Sequence, residues 1–417
     1  MLQITSVNRP VLKTERSKDN AHLKALVNYP LLRSCEVCVI VPVRNEAENI
    51  TATLTALTHQ IDLTGKPFDK SRYEIIVLAN NCSDNSAEIV RHFARTHPDL
   101  VLHLVEMTIE SDRAHIGWVR KLLMDEACRR FRAMRRNGII ASTDGDTKVS
   151  ASWIAAIKDE IDRGADAVGG RIITNESRDL LDQNTKLYYL RYQRYGYLVS
   201  QLEARLDPYF ESSSRHHHHY GASLAVTAQM YAFVGGLPPL RSSEDVALYD
   251  ALMRTDARFR HSPRVRVITS ARAVGRAEAG LSARLTQLNA MSQKQQSILV
   301  EPAELVAIRF YLRRGLRYLW QNRTTGFSQG LPLLAQKLDL RSKVLQEIIL
   351  RSPTFGLLVE QIGQMQDREW LARKWQKVTI SRAIADMNTM VEKNHYSQLS
   401  LDALEQIQPI PLLTQSL

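Results

Sequence analysis

The sequence contains little cysteine: four residues in a chain of 417, Cys35, Cys38, Cys82 and Cys128. So few cysteines exclude a disulfide-stabilised scaffold in a chain of this size. Cys35 and Cys38 form a Cys-x-x-Cys pair, but no second pair with zinc-site spacing follows it. Both residues lie at the start of an apolar stretch, so we expect them to be buried free thiols.

Long hydrophobic runs are also missing. No stretch of about 18 apolar residues occurs, so no transmembrane helix is predicted. The N-terminal residues Met1 to Lys24 lack the apolar centre of a secretory signal. We therefore expect a cytoplasmic protein whose contact with a membrane is peripheral at most.

Positive charge is in excess over negative charge. The formal net charge is +11 and the isoelectric point is about 9.5. A basic surface favours nucleotides, phosphates or anionic lipids as partners, and solubility alone is the other interpretation. Nucleic-acid binding is not expected, because the basic residues are dispersed and no nucleic-acid reader motif is present.

Apolar strands alternate with amphipathic helices in the first 175 residues. Strands are predicted at 36–43, 74–79, 100–105, near 139–142 and at 167–173, with helices between them. This rhythm predicts an α/β fold with a mainly parallel, Rossmann-like sheet flanked by helices. A last strand is expected at 264–269, and helical periodicity dominates from about residue 283 onward.

The same patterns predict a domain organisation. Residues 1–35 form an N-terminal arm and residues 36–280 the main domain, with a first half at 36–150 and a second half at 151–280. Residues 281–417 form an all-helical C-terminal extension. A helix rich in Tyr and Arg, 188–206, packs on these C-terminal helices, lines a groove or rests on anionic lipid.

The segment Ile139–Thr147 carries the most informative motif, Asp-Gly-Asp. Asp144 and Asp146 follow a short apolar strand and are expected to point the same way. Gly145 between them allows a tight turn and the close approach of a ligand. Two carboxylates presented together suit Mg²⁺ or Mn²⁺. Ligands of such sheets bind at the carboxyl ends of the strands, where this motif falls.

Several motifs in one order resemble the family 2 glycosyltransferases, nucleotide-sugar-dependent enzymes with the GT-A fold. The matching segments are 41–46 (VPVRNE), 80–84 (NNCSD), 113–120, 144–146 (DGD), 221–223 (GAS), 235–237 (GGL) and 244–245 (ED). The resemblance covers residues 36–280.

The resemblance implies a donor site in the first half of the domain. Its residues are Pro42, Arg44 and Glu46 at the uracil and ribose, Asn81 and Asp84 facing the base, and Arg120 and Asp144 near the diphosphate. For Arg120, a solvated helix surface is the other interpretation. The family more often has an acid in the place of Asn80 or Asn81, so the base stays open. A UDP-sugar is favoured, with a GDP-sugar as the alternative.

The resemblance also implies the catalytic groups. Asp146 and Asp144 would hold Mn²⁺ or Mg²⁺ between the phosphates. His261 is a candidate third ligand, or a surface histidine. Asp245, with Glu244 beside it, would be the general base that deprotonates the acceptor, which gives inversion at the anomeric carbon.

Four consecutive histidines, His216 to His219, precede Gly221. Consecutive side chains do not point at a common centre in a helix or a strand, so a metal cluster is not expected. The candidate acceptor contacts are His217, His219, Gly221 and Ala222, and a partly exposed loop is the alternative. Arg272, Arg276 and Arg284 are further candidates for phosphate contacts, or form a solvated surface.

We therefore expect a metal-dependent glycosyltransferase that moves a sugar from a nucleotide donor to a hydroxyl or amine of an unidentified acceptor. Two alternatives stay open. One is a retaining GT-A enzyme acting on a small phosphorylated or carboxylated acceptor. The other is a non-catalytic nucleotide-binding scaffold. The C-terminal helices would shape the acceptor site or a homodimer interface.

Overall fold

A computed structural model describes most of the chain. The described residues are 25–174, 182–208, 215–270, 280–325, 327, 330–365 and 375–392. Arg272 and Arg276, considered above as phosphate contacts, lie outside them. Arg284 lies on a helix and donates a hydrogen bond to Gln287.

One eight-stranded sheet is the centre of the fold. Its strands are β1 Val37–Val43, β2 Tyr73–Asn80, β3 Leu102–Met107, β4 Ile139–Ser142, β5 Thr147–Val149, β6 Ala167–Thr174, β7 Leu224–Thr227 and β8 Phe259–Thr269. They lie in the order β3-β2-β1-β4-β7-β6-β8-β5. Strands β1 to β4 pair in parallel, and β6 pairs in parallel with β8. Strand β7 is antiparallel to both of its neighbours, and β5 is antiparallel to β8.

Helices follow the strands and continue to the end of the described chain. They are α1 Ile50–Thr58, α2 Ser86–Thr96, α3 Ile116–Ala133, α4 Trp153–Asp162, α5 Gln183–Leu206, α6 Ala228–Phe233, α7 Glu244–Arg254, α8 Leu281–Gln293, α9 Ala303–Gln321, α10 Gly330–Lys337, α11 Ser342–Arg351, α12 Phe355–Met365 and α13 Ile380–Glu392. A short antiparallel pair joins β9 Leu299–Val300 to β10 Val378–Thr379. The predicted fold class, a mainly parallel sheet flanked by helices with helices after it, is confirmed.

Central strands are buried along their whole length, as expected for parallel strands covered on both faces. Every residue of β1 and β2 is buried. Helix α3 packs against β1 and α4 packs against β8. The predicted burial of Cys35 and Cys38 as free thiols is confirmed.

A buried ion pair attaches α3 to β2 at the amino ends of the parallel strands. Arg130 donates from Nε and Nη2 to the two oxygens of Glu74, at 2.7 and 2.5 Å. It also donates to the carbonyl of Tyr29 at 2.6 Å. The backbone N–H of Val27 donates to Glu126 on the same helix, at 3.2 Å. The end of the predicted arm, residues 25–35, therefore packs against α3.

The chain divides into two compact units. The first comprises the described residues of Met1–Asp182, His218–Asp250 and Arg258–Asn289, and contains the sheet. The second comprises those of Gln183–His217, Ala251–Ala257 and Ala290–Leu417. Helix α5, expected in the second half of the main domain, belongs to the second unit because it packs on α9 and α13. The limits predicted at residues 35 and 280 stay a prediction.

The second unit has its own hydrophobic core. It is formed mainly by leucine side chains of α9 to α12, among them Leu316, Leu334, Leu345 and Leu358. A buried carboxylate, Asp207, also joins α5 to α9 through both arginines Arg313 and Arg317. No described helix of the chain is both long enough and apolar enough to cross a bilayer.

Candidate active site

The Asp-Gly-Asp motif follows β4 at the carboxyl end of the parallel strands. Its glycine lies directly over the first strand: a Cβ on Gly145 would come within 3.1 Å of the side chains of Glu46 and Val43. The hydroxyl of Thr53 on α1 donates to the carbonyl of Gly145 at 3.0 Å. The turn is therefore held against the loop that follows β1.

Arg120 joins the motif to the start of α7. Its guanidinium is 3% exposed and donates to Asp144 at 2.5 Å and, from its other amino group, to Glu244. The solvated-surface interpretation of Arg120 is therefore wrong. The Nε of Arg120 is buried without a hydrogen-bond partner. A buried cation that pairs with two acids from distant parts of the chain fixes their separation.

Gly221 supplies the space for this guanidinium. A Cβ at that position would lie 2.3 Å from Cζ of Arg120, so a side chain there would displace the arginine. The N–H of Gly221 donates to Asp245 at 2.7 Å, and its carbonyl accepts from Ser142 at 2.8 Å. Gly221 thus connects the end of β4, the buried arginine and the predicted base.

Negative charge accumulates around Arg120. Burial raises the pKa of Glu244, the Arg120 charge opposes this rise, and the charge of Asp245 adds to it. Burial likewise raises the pKa of Asp144, against Arg120, with Asp245 and Glu46 acting in the same direction as burial. Three carboxylates around Arg120, with Glu46 near Asp144, leave an excess of negative charge that a cation would balance.

The loops that follow β1 and β2, which are predicted to bind the nucleobase, are joined by hydrogen bonds. Asp84 accepts from the backbone N–H of Ala47 at 3.0 Å and from the N–H and hydroxyl of Ser86 at 3.0 and 2.6 Å. It therefore accepts from the first backbone N–H of α2. Asn81 has a left-handed backbone (φ 49°), and its amide exchanges two hydrogen bonds with the backbone of Ile109, at 2.9 and 3.0 Å. The nitrogen and the oxygen of the Asn81 amide are thus both hydrogen-bonded within the protein.

The remaining predicted donor residues lie on β1 and the loop after it. Pro42 is buried within β1. Arg44 is exposed and donates to the carbonyl of Ala114 at 3.1 Å. Glu46 is 5% exposed, and one of its carboxylate oxygens accepts from Asn49 at 3.0 Å. The structure therefore brings Glu46 and Asp144 together, and places Arg44 on the surface of the same loop.

Comparison with known proteins identifies the domain that carries this site. Residues 38–215 match the family model described as Glycosyl transferase family 2. The match includes Arg120 and the Asp-Gly-Asp motif and ends before Gly221, Glu244 and Asp245. The resemblance noted from the sequence is confirmed.

One curated relative is Glycosyltransferase AglE from Haloferax volcanii, 31% identical over 137 residues. These residues are 33% of this chain and 39% of the relative, so the chain spans well under half of that relative's length. Among solved structures, S. aureus TarS in complex with UDP-GlcNAc is 16% identical, with a TM-score of 0.42 over 86% of this chain and 91% of that chain. The mannosyltransferase PcManGT from Pyrobaculum calidifontis, in complex with GDP-Man and Mn2+, is 19% identical, with a TM-score of 0.40 over 82% and 89%.

The consecutive histidines that precede Gly221 reach different places. His217 packs its ring against Gly196 on α5, where a Cβ would lie 2.9 Å from the ring. His218 accepts from the backbone N–H of Ile172 at 2.9 Å. His219 stacks on Tyr249, with ring centroids 4.1 Å apart. The expectation that they do not share one centre is confirmed, and contact of His217, His219 or Ala222 with an acceptor stays a prediction.

The predicted metal ligands are hard oxygen donors in a negatively charged setting. Asp144 and Asp146 fit Mg²⁺ or Mn²⁺, which commonly take part of their coordination from water and substrate phosphates. Within the described ranges, no three His, Cys, Asp or Glu side chains form a ready cluster for a metal ion. His261 is 2% exposed on β8, so the surface interpretation of this histidine is wrong. Its coordination of a metal stays a prediction.

Some residues that shape the candidate site were not found from the sequence. Ser142 and Ser223 both fix the Gly-Ala-Ser turn: Ser142 bonds Gly221, and Ser223 accepts from the indole of Trp153 at 3.0 Å. Thr53 holds the Asp-Gly-Asp turn. Each is a hydroxyl in an apolar or mixed stretch, and no spacing distinguishes such residues from ordinary core serines and threonines.

Proposed function

We propose that this chain is a metal-dependent glycosyltransferase that moves a sugar from a nucleotide-sugar donor to a hydroxyl or amine acceptor, with inversion. The arrangement around Arg120 carries the proposal, because it joins Asp144 of the Asp-Gly-Asp motif to Glu244, next to Asp245. The family match of residues 38–215 supports the class of reaction.

The donor would bind over the carboxyl ends of β1, β2 and β4. Glu46 and the Asp-Gly-Asp turn are in contact there, which supports a single pocket for the ribose and diphosphate. Pro42, Arg44, Asn81 and Asp84 would shape the part that faces the base. We favour a UDP-sugar, with a GDP-sugar as the alternative, since the amide of Asn81 stands where the family more often has an acid.

Leaving-group departure requires positive charge at the diphosphate. A divalent cation held by Asp144 and Asp146, Mn²⁺ or Mg²⁺, would stabilise the charge that develops on the departing nucleotide. Arg120 orients Asp144 through its hydrogen bond. A second hydrogen bond of Arg120, to Glu244, holds the N-terminus of α7 near the Asp-Gly-Asp motif.

Asp245 is the proposed general base. The acceptor oxygen or nitrogen forms a bond to the anomeric carbon while the bond from that carbon to the diphosphate oxygen breaks, and Asp245 takes the proton of the attacking group. The hydrogen bond from the Gly221 N–H orients the carboxylate of Asp245. A base on the face opposite the leaving group gives single displacement and inversion.

The proposal also covers location and organisation. Residues 36–280 would be the catalytic domain and residues 281–417 a helical region that shapes the acceptor site or a homodimer interface. Free buried thiols agree with a reducing compartment, so we place the enzyme in the cytoplasm, with peripheral membrane contact as an option.

The test is sugar transfer from UDP- and GDP-sugars to water, with the released anomer identified by proton NMR. We expect metal-dependent release of the inverted anomer by the wild type. Asp245→Asn should keep nucleotide binding and lose at least about a hundredfold in turnover, because a general base contributes about this much or more. Asp99→Asn, which changes an exposed carboxylate paired with Lys70, is the matched control and should behave as wild type.

Three outcomes would contradict the proposal. Release of the original anomer would favour the retaining alternative. Nucleotide binding without any sugar release would favour the scaffold. Near-normal turnover by Asp245→Asn would remove Asp245 from the role of base.

A further inference from the structure

A group of aromatic rings lies beside the proposed base in the first unit. We call it the aromatic platform; its members are His219, Tyr220, Tyr249, Phe259 and His261. Phe259 and His261 are 5% and 2% exposed and form the buried side of the platform. Tyr220 is 38% exposed, and His219 and Tyr249 are partly exposed. The platform therefore has a buried base and an accessible upper side.

The rings are ordered by mutual contacts. His219 and Tyr249 are stacked nearly parallel, with centroids 4.1 Å apart and an interplanar angle of 11°. Tyr249 meets Phe259 edge-on at 4.8 Å, and His261 lies 4.8 Å from Phe259. Tyr220 is tilted against His219 at 5.1 Å. Such contacts fix the ring faces in advance, so little conformational freedom is lost when a ligand binds.

Two connections place the platform next to Asp245. Tyr249 lies four residues after Asp245 on α7, and side chains at this spacing are neighbours on one face of a helix. Tyr220 directly precedes Gly221, whose N–H holds the carboxylate of Asp245 at 2.7 Å. A molecule lying on the platform would thus have one edge within reach of the proposed base.

We infer that the platform is the acceptor subsite and that the acceptor is a carbohydrate, whose pyranose ring lies on Tyr220 and Tyr249 with a hydroxyl directed to Asp245. This inference rests on the proposed function. A pyranose has an apolar C–H face that packs on aromatic rings and a rim of hydroxyls that bond to imidazole and phenol groups. A phosphorylated or carboxylated acceptor would call for arginine or lysine contacts instead, and it is the charged alternative in the test.

Saturation-transfer NMR on the full chain tests the inference. The probes are methyl glycosides of glucose, galactose, mannose and N-acetylglucosamine, and, as the charged alternative, 3-phosphoglycerate, each with UDP and Mn²⁺ present. We expect saturation transfer to the ring C–H protons of at least one methyl glycoside. Absence of transfer to every glycoside, or transfer to 3-phosphoglycerate alone, would overturn the inference.

Two substitutions localise the contact. Tyr220→Ala should weaken binding of the responding glycoside about tenfold, the cost expected for losing one aromatic face. Tyr249→Phe keeps the ring and should bind normally, whereas Tyr249→Leu should not. The control is Tyr197→Ala, because Tyr197 on α5 is also an exposed tyrosine (40%) and lies outside the platform. An unchanged affinity for Tyr220→Ala and Tyr249→Leu would contradict the assignment.

The readouts separate failure of this inference from failure of the proposed function. If the platform assignment is wrong, UDP or GDP still binds in a metal-dependent way and sugar is still released. If the proposed function is wrong, nucleotide binding or sugar release is itself lost. Tyr220→Ala should leave the affinity for the nucleotide unchanged, since Tyr220 is not among the proposed contacts of the donor or the metal.

Discussion

Gly221 and Arg120 depend on each other at the centre of the proposed site. The arginine occupies the volume that a side chain at position 221 would fill. The same glycine donates its N–H to Asp245, and the same arginine donates to Asp144. One backbone position therefore contacts both the proposed base and the arginine that pairs with the Asp-Gly-Asp motif.

Gly221→Ala tests this dependence. The added methyl group forces the buried guanidinium to move, which should lower the stability by about 1–3 kcal/mol, as other overpacked core sites do. Because the hydrogen bond to Asp144 is displaced as well, stabilisation by nucleotide and Mn²⁺ should be lost. Thermal unfolding with and without UDP and Mn²⁺ measures both effects.

Gly363→Ala is the matched control. Gly363 lies in α12, and a Cβ there meets no atom within 4 Å. Alanine should therefore keep or slightly raise the stability, by up to about 1 kcal/mol, because it favours the helix. If Gly221→Ala unfolded like the wild type and kept the nucleotide response, the coupling between Gly221 and Arg120 would be wrong.

At the scale of residues, the sequence points to acidic motifs whose side chains meet in the structure, and the roles of these side chains stay a prediction. The positions of Asp144, Glu244 and Asp245 follow from short motifs, and the structure brings all three to Arg120. The sequence did not reveal that the side-chain amide of Asn81 is hydrogen-bonded to the backbone of Ile109. That bond joins residues 28 positions apart, and an amide carries no signal of whether its partner is a ligand or the backbone.

At the scale of elements, α3 connects two opposite regions of the first unit. Near its N-terminus Arg120 enters the proposed site. Near its C-terminus Arg130 pairs with Glu74 on β2, and both side chains are almost fully buried. The Nε2 atom of His103 on β3 lies 3.4 Å from Oε2 of Glu74. The arginine-rich end of α3 is thus anchored in the interior through Arg130.

The Glu74 carboxylate predicts acid sensitivity. Burial acts to raise its pKa, but the nearby His103 imidazole and the hydrogen bonds and charge of Arg130 outweigh it and lower the pKa to about 2. A carboxylate with a lowered pKa stabilises the fold fully above its unfolded pKa of about 4.5, and this stability is lost as pH falls toward 2. The loss should be on the order of 3 kcal/mol.

Chemical denaturation between pH 6 and about pH 2 compares wild type with Glu74→Gln. The variant leaves Arg130 buried without its charge partner, so it should be less stable at pH 6 by about 3–5 kcal/mol and should vary less with pH. Glu36→Gln is the control, because its partner Arg72 is partly exposed, and it should cost at most about 1 kcal/mol. Parallel pH curves for wild type and Glu74→Gln would contradict the assignment.

Elements were predicted well where burial makes the pattern continuous. The apolar runs of β1 and β2 identify buried parallel strands, and the structure places them within a residue of the prediction. Strand β8 was expected only at 264–269 but begins at Phe259. Its first half mixes arginine, histidine, serine and proline, and these residues do not form a strand pattern. These residues form a strand because they pair with β6.

At the scale of the molecule, the sequence predicted an α/β domain followed by helices but not the grouping of α5. This helix ends at Leu206 and α9 begins only at Ala303, and periodicity does not report which distant helix α5 meets. Its contacts with α9 and α13, such as Arg194 with Asn388 at 2.7 Å, are long-range in sequence.

The central claim is a metal-dependent site for a nucleotide-sugar donor at the carboxyl ends of the strands. The basic chain, with a net charge of +11, would attract an anionic donor, and the excess of carboxylates at the site would require a cation before a diphosphate binds.

The measurement that tests it most directly is thermal unfolding of the purified full chain with UDP or GDP, each in Mn²⁺ and in EDTA. A ligand that binds only the folded state raises the melting temperature by mass action. We predict a rise with one of the two nucleotides in Mn²⁺, abolished by EDTA and by Asp146→Ala. No rise with either nucleotide, or an equal rise in EDTA, would contradict the account.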